Sequence, residues 1–364
     1  MVKSFSPALA KPRAAKTPAI AARRSTDRSS IRAVAIGGGT GLSTLLRGLR
    51  RFVSSPHQSA SECEAAPCLI SDLAAVVTVT DDGGSSGRLR RGFNMLPPGD
   101  LRNCMVALSE DEHLISRLFR HRFTAGEGLE GHSFGNLFVA ALVEITGDFA
   151  QAIKLSSQVL ATRGHIYPVT NANVSLSALM DDGSVVSGET NITASHLRIV
   201  ELMLEPADAA PLPETLEAIE RADLITIGPG SLFTSLITNL LVKGVSEALA
   251  SSKAVRVYIC NLMTQSNESL NLTASQHIER IYAHTHLPIF DYALVNTAPV
   301  SRTLLDRYAG EGASPITADI AAIEALGVRC IAGDFTAKGD VVRHAADRVA
   351  EAVLRLGVGG RGRG

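Results

Sequence analysis

Ala33-Val-Ala-Ile36-Gly37-Gly-Gly-Thr-Gly41-Leu42-Ser-Thr-Leu45-Leu46-Arg-Gly-Leu49-Arg-Arg51 reads as a short apolar strand, a turn made of glycine and a helix in immediate succession. Ala33 to Ile36 has no polar position, as a strand buried on both faces requires. Leu42, Leu45, Leu46 and Leu49 then recur at helical spacing and give the helix one apolar face. The same βα punctuation returns along the chain. Leu73 to Thr80 is nearly continuous in apolar and β-branched residues and runs into Asp81-Asp82-Gly-Gly84-Ser85-Ser86-Gly-Arg88. Leu224 to Ile227 is closed by Gly228-Pro229-Gly230-Ser231 and followed by a helix through Leu232, Leu236 and Leu240. Val255 to Cys260 and Tyr292 to Val295 each stop at an asparagine, Asn261 and Asn296. Helical patterns surround 101–108, 114–123, 137–145 and 149–160. Such alternation predicts an α/β fold: a parallel sheet with helices on both faces.

One segment departs from it. Asn173 to Met180, the turn Asp181-Asp182-Gly183 and Val185 to Gly188 read as a hairpin, with His196 to Leu204 as a third strand. A small antiparallel β elaboration over about 170–205 is therefore expected, with Asp181 and Asp182 as turn residues.

At 364 residues and 45% hydrophobic content, the chain can bury one large or two modest cores. A net charge of -1 gives no sign of a nucleic-acid partner, and no apolar run is long enough to predict a membrane span. The five cysteines (63, 68, 104, 260 and 330) suggest neither a disulfide framework nor a zinc site, and suit reduced thiols in a cytoplasmic protein. Cys104 and Cys260 lie in apolar runs and read as packing residues. Residues 1–30 are rich in Ala, Ser, Pro, Lys and Arg, with Asp27 the one acid; they read as a disordered basic extension, while a transit peptide has similar composition. The body is expected over 31–354, with a surface loop from Ser54 to Pro67 and a flexible tail over 355–364.

Asp81 to Arg88 reads as the floor of a polyanion site. Asp81 and Asp82 can hold a hard cation such as Mg2+ or ribose hydroxyls, Gly84 permits close backbone approach, and Ser85, Ser86 and Arg88 can donate to phosphate. The turn at Gly37 is not a dinucleotide fingerprint, because Leu42 stands where the last glycine belongs, and no Gly-Lys-Ser/Thr makes it a P-loop. Gly38, Gly39, Thr40 and Gly41 still open a helix, where N–H groups and the helix dipole favour an anion. Gly228, Gly230 and Ser231 repeat the device on a later strand. In open α/β sheets such turns share the carboxyl edge, where ligands bind. Within Pro97-Pro98-Gly99-Asp100-Leu101-Arg102-Asn103, Asp100 reads as a helix N-cap and leaves Arg102 and Asn103 for a ligand. Within His132-Ser133-Phe134-Gly135-Asn136, Ser133 is the expected N-cap, and His132 beside it is no catalytic triad.

Gly37 to Gly41, the run from Asp81 to Cys104, Gly131 to Asn136, Ile227-Gly-Pro-Gly-Ser231 and Asn261-Leu-Met-Thr-Gln265, in this order, resemble the CofD/YvcK family over about 33–354. The resemblance implies a Rossmann-like three-layer body. Its CofD branch is a 2-phospho-L-lactate transferase that moves a phospholactyl group from a nucleotide-activated donor to a deazaflavin with magnesium. Its YvcK branch, often called gluconeogenesis factor, binds UDP-sugars such as UDP-N-acetylglucosamine and supports cell shape and wall synthesis during gluconeogenic growth. The runs 131–149, with Glu144-Ile-Thr-Gly-Asp148, and 225–242 are similar to the second branch in particular. Ser266-Asn267-Glu268-Ser269 departs from its usual Pro-Gly-Glu-Thr but keeps the glutamate.

The resemblance and the residues together imply a cytoplasmic, regulatory nucleotide-sugar-binding protein acting through wall-synthesis or metabolic proteins, with a homo-oligomer left open. Gly38 to Gly41 with Ser85, Ser86 and Arg88 would cradle the diphosphate, Asp81 or Asp82 would take a cation or a sugar hydroxyl, and Asn136, Gly230, Ser231 and Asn261 would close round the base or sugar. The alternative is a CofD-like transferase in which Asp81, Asp82 and a metal orient the leaving group. A chain with no Trp and 4% aromatic residues is poorly supplied for a flat deazaflavin slot, although Phe93, Phe134 and Phe233 remain.

Overall fold

The computed structural model describes residues 30–54, 68–110, 114–265, 268–310 and 312–360. Its strands are β1 (Ile31–Gly37), β2 (Ile70–Val77), β3 (His165–Pro168), β4 (Ser175–Met180), β5 (Val185–Ser187), β6 (Ile199–Glu205), β7 (Leu224–Ile227), β8 (Val255–Ile259), β9 (Tyr292–Asn296) and β10 (Arg329–Gly333). Seven form one parallel sheet in the order β10-β9-β8-β7-β1-β2-β3. The chain builds outward from β1 to β3, returns to lay β7 on the other flank of β1, and builds outward again. The order thus reverses between β1 and β7, where Ile36 lies opposite Ile227, and the turns after both strands leave the carboxyl edge side by side. A doubly wound sheet opens its binding crevice at such a point.

Burial follows the sequence pattern. Ala33 to Ile36 are buried, and the helix Gly39–Arg50 buries Leu42, Leu45, Leu46 and Leu49 at i, i+3, i+4 and i+7. That helix packs between Gly99–Leu108 and Ala346–Gly360. The antiparallel elaboration is present as the three-stranded sheet β5-β4-β6. Its Asp-Gly turn has the expected chemistry: Asp182 Oδ1 accepts the Ser184 N–H at 2.9 Å, and Asp181 Oδ1 accepts that of Arg198 at 3.2 Å. A six-residue helix, Glu189–Ala194, follows β5 and leads back toward the main sheet.

Several expectations change. The second strand starts at Ile70 and ends at Val77, so 78–80 lie beyond it and lead to Asp81. The expected tail from 355 is a packed helix as far as Gly360: a Cβ on Gly357 would lie 2.9 Å from Ile31 Cδ1 and 3.0 Å from Leu224 Cβ. Cys68 is disulfide-bonded rather than a thiol, while Cys104, Cys260 and Cys330 are free, the first two buried. Nearly all of the basic extension and of the Ser54–Pro67 loop, with the last four residues, lie outside the described residues. Among the described residues no single helix is long and apolar enough to cross a membrane.

Candidate functional site

A cavity of about 680 Å³ lies at the carboxyl edge over the reversal point. The turn Gly38–Gly41 after β1, Gly230 and Ser231 after β7, and Asn261 to Gln265 after β8 line it, with Asp81 and Asp100 on the β2 side. Glu189 and Thr193 reach in from the antiparallel unit, and Tyr308, Arg343 and His344 from the C-terminal third.

The first two turns touch. A Cβ on Gly41 would lie 2.7 Å from Pro229 C and 3.1 Å from Gly230 N, so only glycine lets the backbones approach this closely. Asn261 pins the second turn: its Nδ2 donates to Gly230 O at 2.7 Å and its Oδ1 accepts the Gly230 N–H at 3.1 Å. Asn239, in the helical turn Thr238–Leu240 that follows the π-helical turn Leu232–Ile237, pins the first by donating to Gly37 O at 3.0 Å. Gln265 Nε2 donates to Ser231 Oγ at 2.9 Å.

Carboxylates already occupy the chain turns that would attract an anion. Asp100 is not the N-cap of its own helix, whose N-cap is Pro98; it reaches across to accept the Gly39 N–H at 2.7 Å. Glu268 accepts from the Phe233 N–H at 3.3 Å and the Thr234 hydroxyl at 2.8 Å. Asp81 accepts from Gly83 N–H at 2.9 Å, and Asp82 from Thr190 N–H at 2.9 Å and from the Thr190 hydroxyl. The Thr40 and Gly41 N–H groups stay available, because the first intrahelical bond is that of Leu42 to Gly38 O. Crowding of acids shows in their titration. Burial, with the Asp81 charge nearby, pushes Asp100 up to about 6. Burial and the charges of Asp81, Asp100 and Glu268 push Glu189 up to about 9, so it is a neutral acid at pH 7. Burial pushes His344 down to about 4, leaving a neutral ring within 3.1 Å of Cys260 O.

Of the residues expected at the site, Gly38, Gly39, Thr40, Gly41, Asp81, Asp100, Gly230, Ser231 and Asn261 line this cavity. Gly228 lies behind it against Ile259 O, at φ +92°. Asp82 turns away to Thr190, so the Asp81-Asp82 pair is not a chelate. Asp81 and Asp100 do face one space, and two carboxylates are what Mg2+ commonly takes from a protein when phosphate oxygens complete its shell. Gly84, Ser85, Ser86, Arg88, Arg102, Asn103, His132 and Asn136 lie outside the lining. Ser85 Oγ is instead within 2.9 Å of His132 Nδ1 and accepts from Asn136 Nδ2 at 3.1 Å, and Ser133 caps its helix as expected. The pattern gave no signal for Glu189, Thr193, Tyr308, Arg343 or His344, which sit in turns, short helices or loops without a repeating spacing.

The model of the family described as 2-phospho-L-lactate transferase CofD matches residues 33–336. A protein called gluconeogenesis factor from Halalkalibacterium halodurans is 48% identical over 322 residues, covering 88% of this chain and 95% of that protein. Its namesake from Bacillus subtilis is 45% identical over 321 residues, covering 88% and 96%. A crystal structure of a Bacillus halodurans protein superposes with a TM-score of 0.83 at 47% identity, covering 89% of this chain and 99% of that one.

Proposed function

The chain belongs to the CofD family, and from that premise we propose that it is a regulatory protein of the gluconeogenesis-factor kind that binds a nucleotide sugar such as UDP-N-acetylglucosamine at the switch-point cavity. The observation that carries the reading is the junction of the Gly38–Gly41 and Gly230–Ser231 turns. Two strand-end backbones meet there under a cavity whose size lies within the usual range for small-molecule sites.

The diphosphate lies over the Thr40 and Gly41 N–H groups, with Arg343 as the lining cation that offsets its charge. A magnesium ion, held by Asp81 and Asp100, supplies the remaining positive charge when bound. Asn261 and Gln265 keep the Gly230–Ser231 turn in place beneath the ligand. Glu189, being a neutral acid, can donate to a sugar hydroxyl. The helix Glu189–Ala194 ties occupancy to the antiparallel unit, because Asp82 holds its Thr190 and its Thr193 lines the cavity. That coupling suits a cytoplasmic protein that reports ligand to wall-synthesis or metabolic partners and so supports cell shape during gluconeogenic growth.

Calorimetry against UDP-N-acetylglucosamine, with and without Mg2+, tests the reading: binding strengthened by the metal is expected, and no heat under either condition overturns it. The paired carboxylates Asp81 and Asp100 beside a glycine turn also suit a second reading, a phospholactyl transferase that orients a diphosphate leaving group. Binding of a deazaflavin together with release of nucleotide from an activated donor would select it.

A further inference from the structure

Three guanidinium groups gather outside the cavity: Arg88 on the helix Gly84–Phe93, Arg102 on Gly99–Leu108, and Arg122 in the loop leading to Phe134–Thr146. Among the described residues none of the three forms an ion pair. They are tied down by neutral acceptors. Arg88 donates to Glu130 O at 2.7 Å, Arg122 to Gly131 O, and Arg102 to Phe119 O at 3.3 Å and Asn103 Oδ1 at 2.8 Å. Burial first and then the Arg122 charge lower the pKa of Arg102, with Asp100 and Asp81 attracting it from the cavity side. Burial, then Arg88 and Arg122, lower that of His132. These like charges repel, and Asp81 and Asp100 offset only the innermost of them.

The Gly131-His-Ser-Phe-Gly-Asn136 motif, which the nucleotide cavity does not use, is shaped around this group. Gly131, at φ +78°, clears Arg88, whose Nη2 would be 3.1 Å from a Cβ there; Gly135 clears Arg102, whose Cδ would be 2.8 Å away. Arg102 Nε, a donor, is buried with no partner, while Asn136, 98% buried, donates to Ser85 Oγ. A buried donor is rarely left so unless an acceptor from outside the chain completes it.

We propose that Arg88, Arg102 and Arg122, arranged about His132 and Asn136, form a second anion subsite that takes a phosphate group, separate from the nucleotide cavity and bordering it at Arg102. Guanidinium groups match phosphate oxygens in charge and geometry, and three of them suit a dianion better than a carboxylate. The phosphate comes either from an independent phosphorylated metabolite or from the nucleotide itself, and the subsite's separateness commits it to the first.

The test measures the thermal midpoint of the full chain against inorganic phosphate, with chloride matching the ionic strength. A saturable rise is expected. Arg122 is exposed, so its variants fold; Arg122→Ala weakens phosphate roughly tenfold, as loss of one charge-assisted bond implies, and Arg122→Glu abolishes the rise. Saturating UDP-N-acetylglucosamine leaves phosphate affinity unchanged. A rise that only tracks ionic strength, unchanged affinity in Arg122→Glu, or displacement of phosphate by the nucleotide sugar overturns the proposal. Failure of the nucleotide sugar to bind sinks the earlier reading alone, because the phosphate titration stands without it.

Discussion

Replacing Gly41 with alanine tests the junction between the two glycine turns. The helix gains from the exchange, since alanine is favoured over glycine in a helix by roughly 1 kcal/mol. The contact loses more. The new Cβ would lie 2.7 Å from Pro229 C, where ordinary contact begins at 3.4 Å, and the neighbour is backbone that cannot swing aside as a side chain would. Overpacking of this kind costs about 1–3 kcal/mol, so a net loss of up to about 2 kcal/mol is expected. The turns must part, against the two bonds by which Asn261 holds Gly230. Affinity for UDP-N-acetylglucosamine therefore falls by roughly tenfold or more, because the cradle is displaced as well as destabilised. Gly92→Ala is the matched control: it lies in the helix Gly84–Phe93 with nothing within 4 Å of a Cβ, and gains about 0.5–1 kcal/mol. Urea unfolding followed by circular dichroism and calorimetric titration read both variants. If Gly41→Ala is as stable as Gly92→Ala and binds as the parent does, the close approach has no energetic meaning.

Glu189 binds its proton more tightly folded than unfolded, so stability falls as pH rises from about 4.5 toward about 9; Glu189→Gln flattens that fall in metal-free buffer and raises the melting temperature at pH 8, as calorimetric scans at several pH values would show. His344 and His277 behave oppositely. Burial holds both down at about 4, so the unfolded chain takes up their protons first and stability is lost as pH falls from about 6.5 to 4; His344→Gln makes the acid limb of the midpoint–pH curve shallower. Asn261→Ala leaves both polar groups of Gly230 without their partner and weakens nucleotide-sugar binding roughly tenfold, with a smaller effect on stability, as paired calorimetry and urea melts would record.

The strands that carry the site were legible because their inner stretches are buried, which leaves largely apolar runs at 33–36 in β1, 73–77 in β2, 224–227 in β7, 257–259 in β8 and 292–295 in β9. β3 and β10 were not: His165 and Arg329 put exposed residues on four- and five-residue edge strands, which leaves apolar runs too short to mark a strand. The glycine turns and Asn261 announced themselves by type and by position at strand ends. The use made of the acids did not. Asp100 three residues after Pro97 looks like a local cap, and only the tertiary fold carries its carboxylate to Gly39, 61 residues away. Ser85, His132 and Asn136 were each expected at a ligand; they bond to one another instead, outside the cavity lining. Spacing along a chain records neither pairing.

The carboxylates that fill the turns at the cavity mouth also set how fast a ligand arrives. Oppositely charged partners meet faster at low salt; a bare diphosphate nearing Asp81 and Asp100 meets like charge, so its rate of entry rises as salt is added. One that travels already paired with a divalent ion crosses the same rim nearly neutral. Stopped-flow traces at graded ionic strength would display that inversion. On the proposed function, metal-complexed ligand would then load faster than bare ligand, and the rate of loading would follow the free divalent ion concentration as well as the ligand's own.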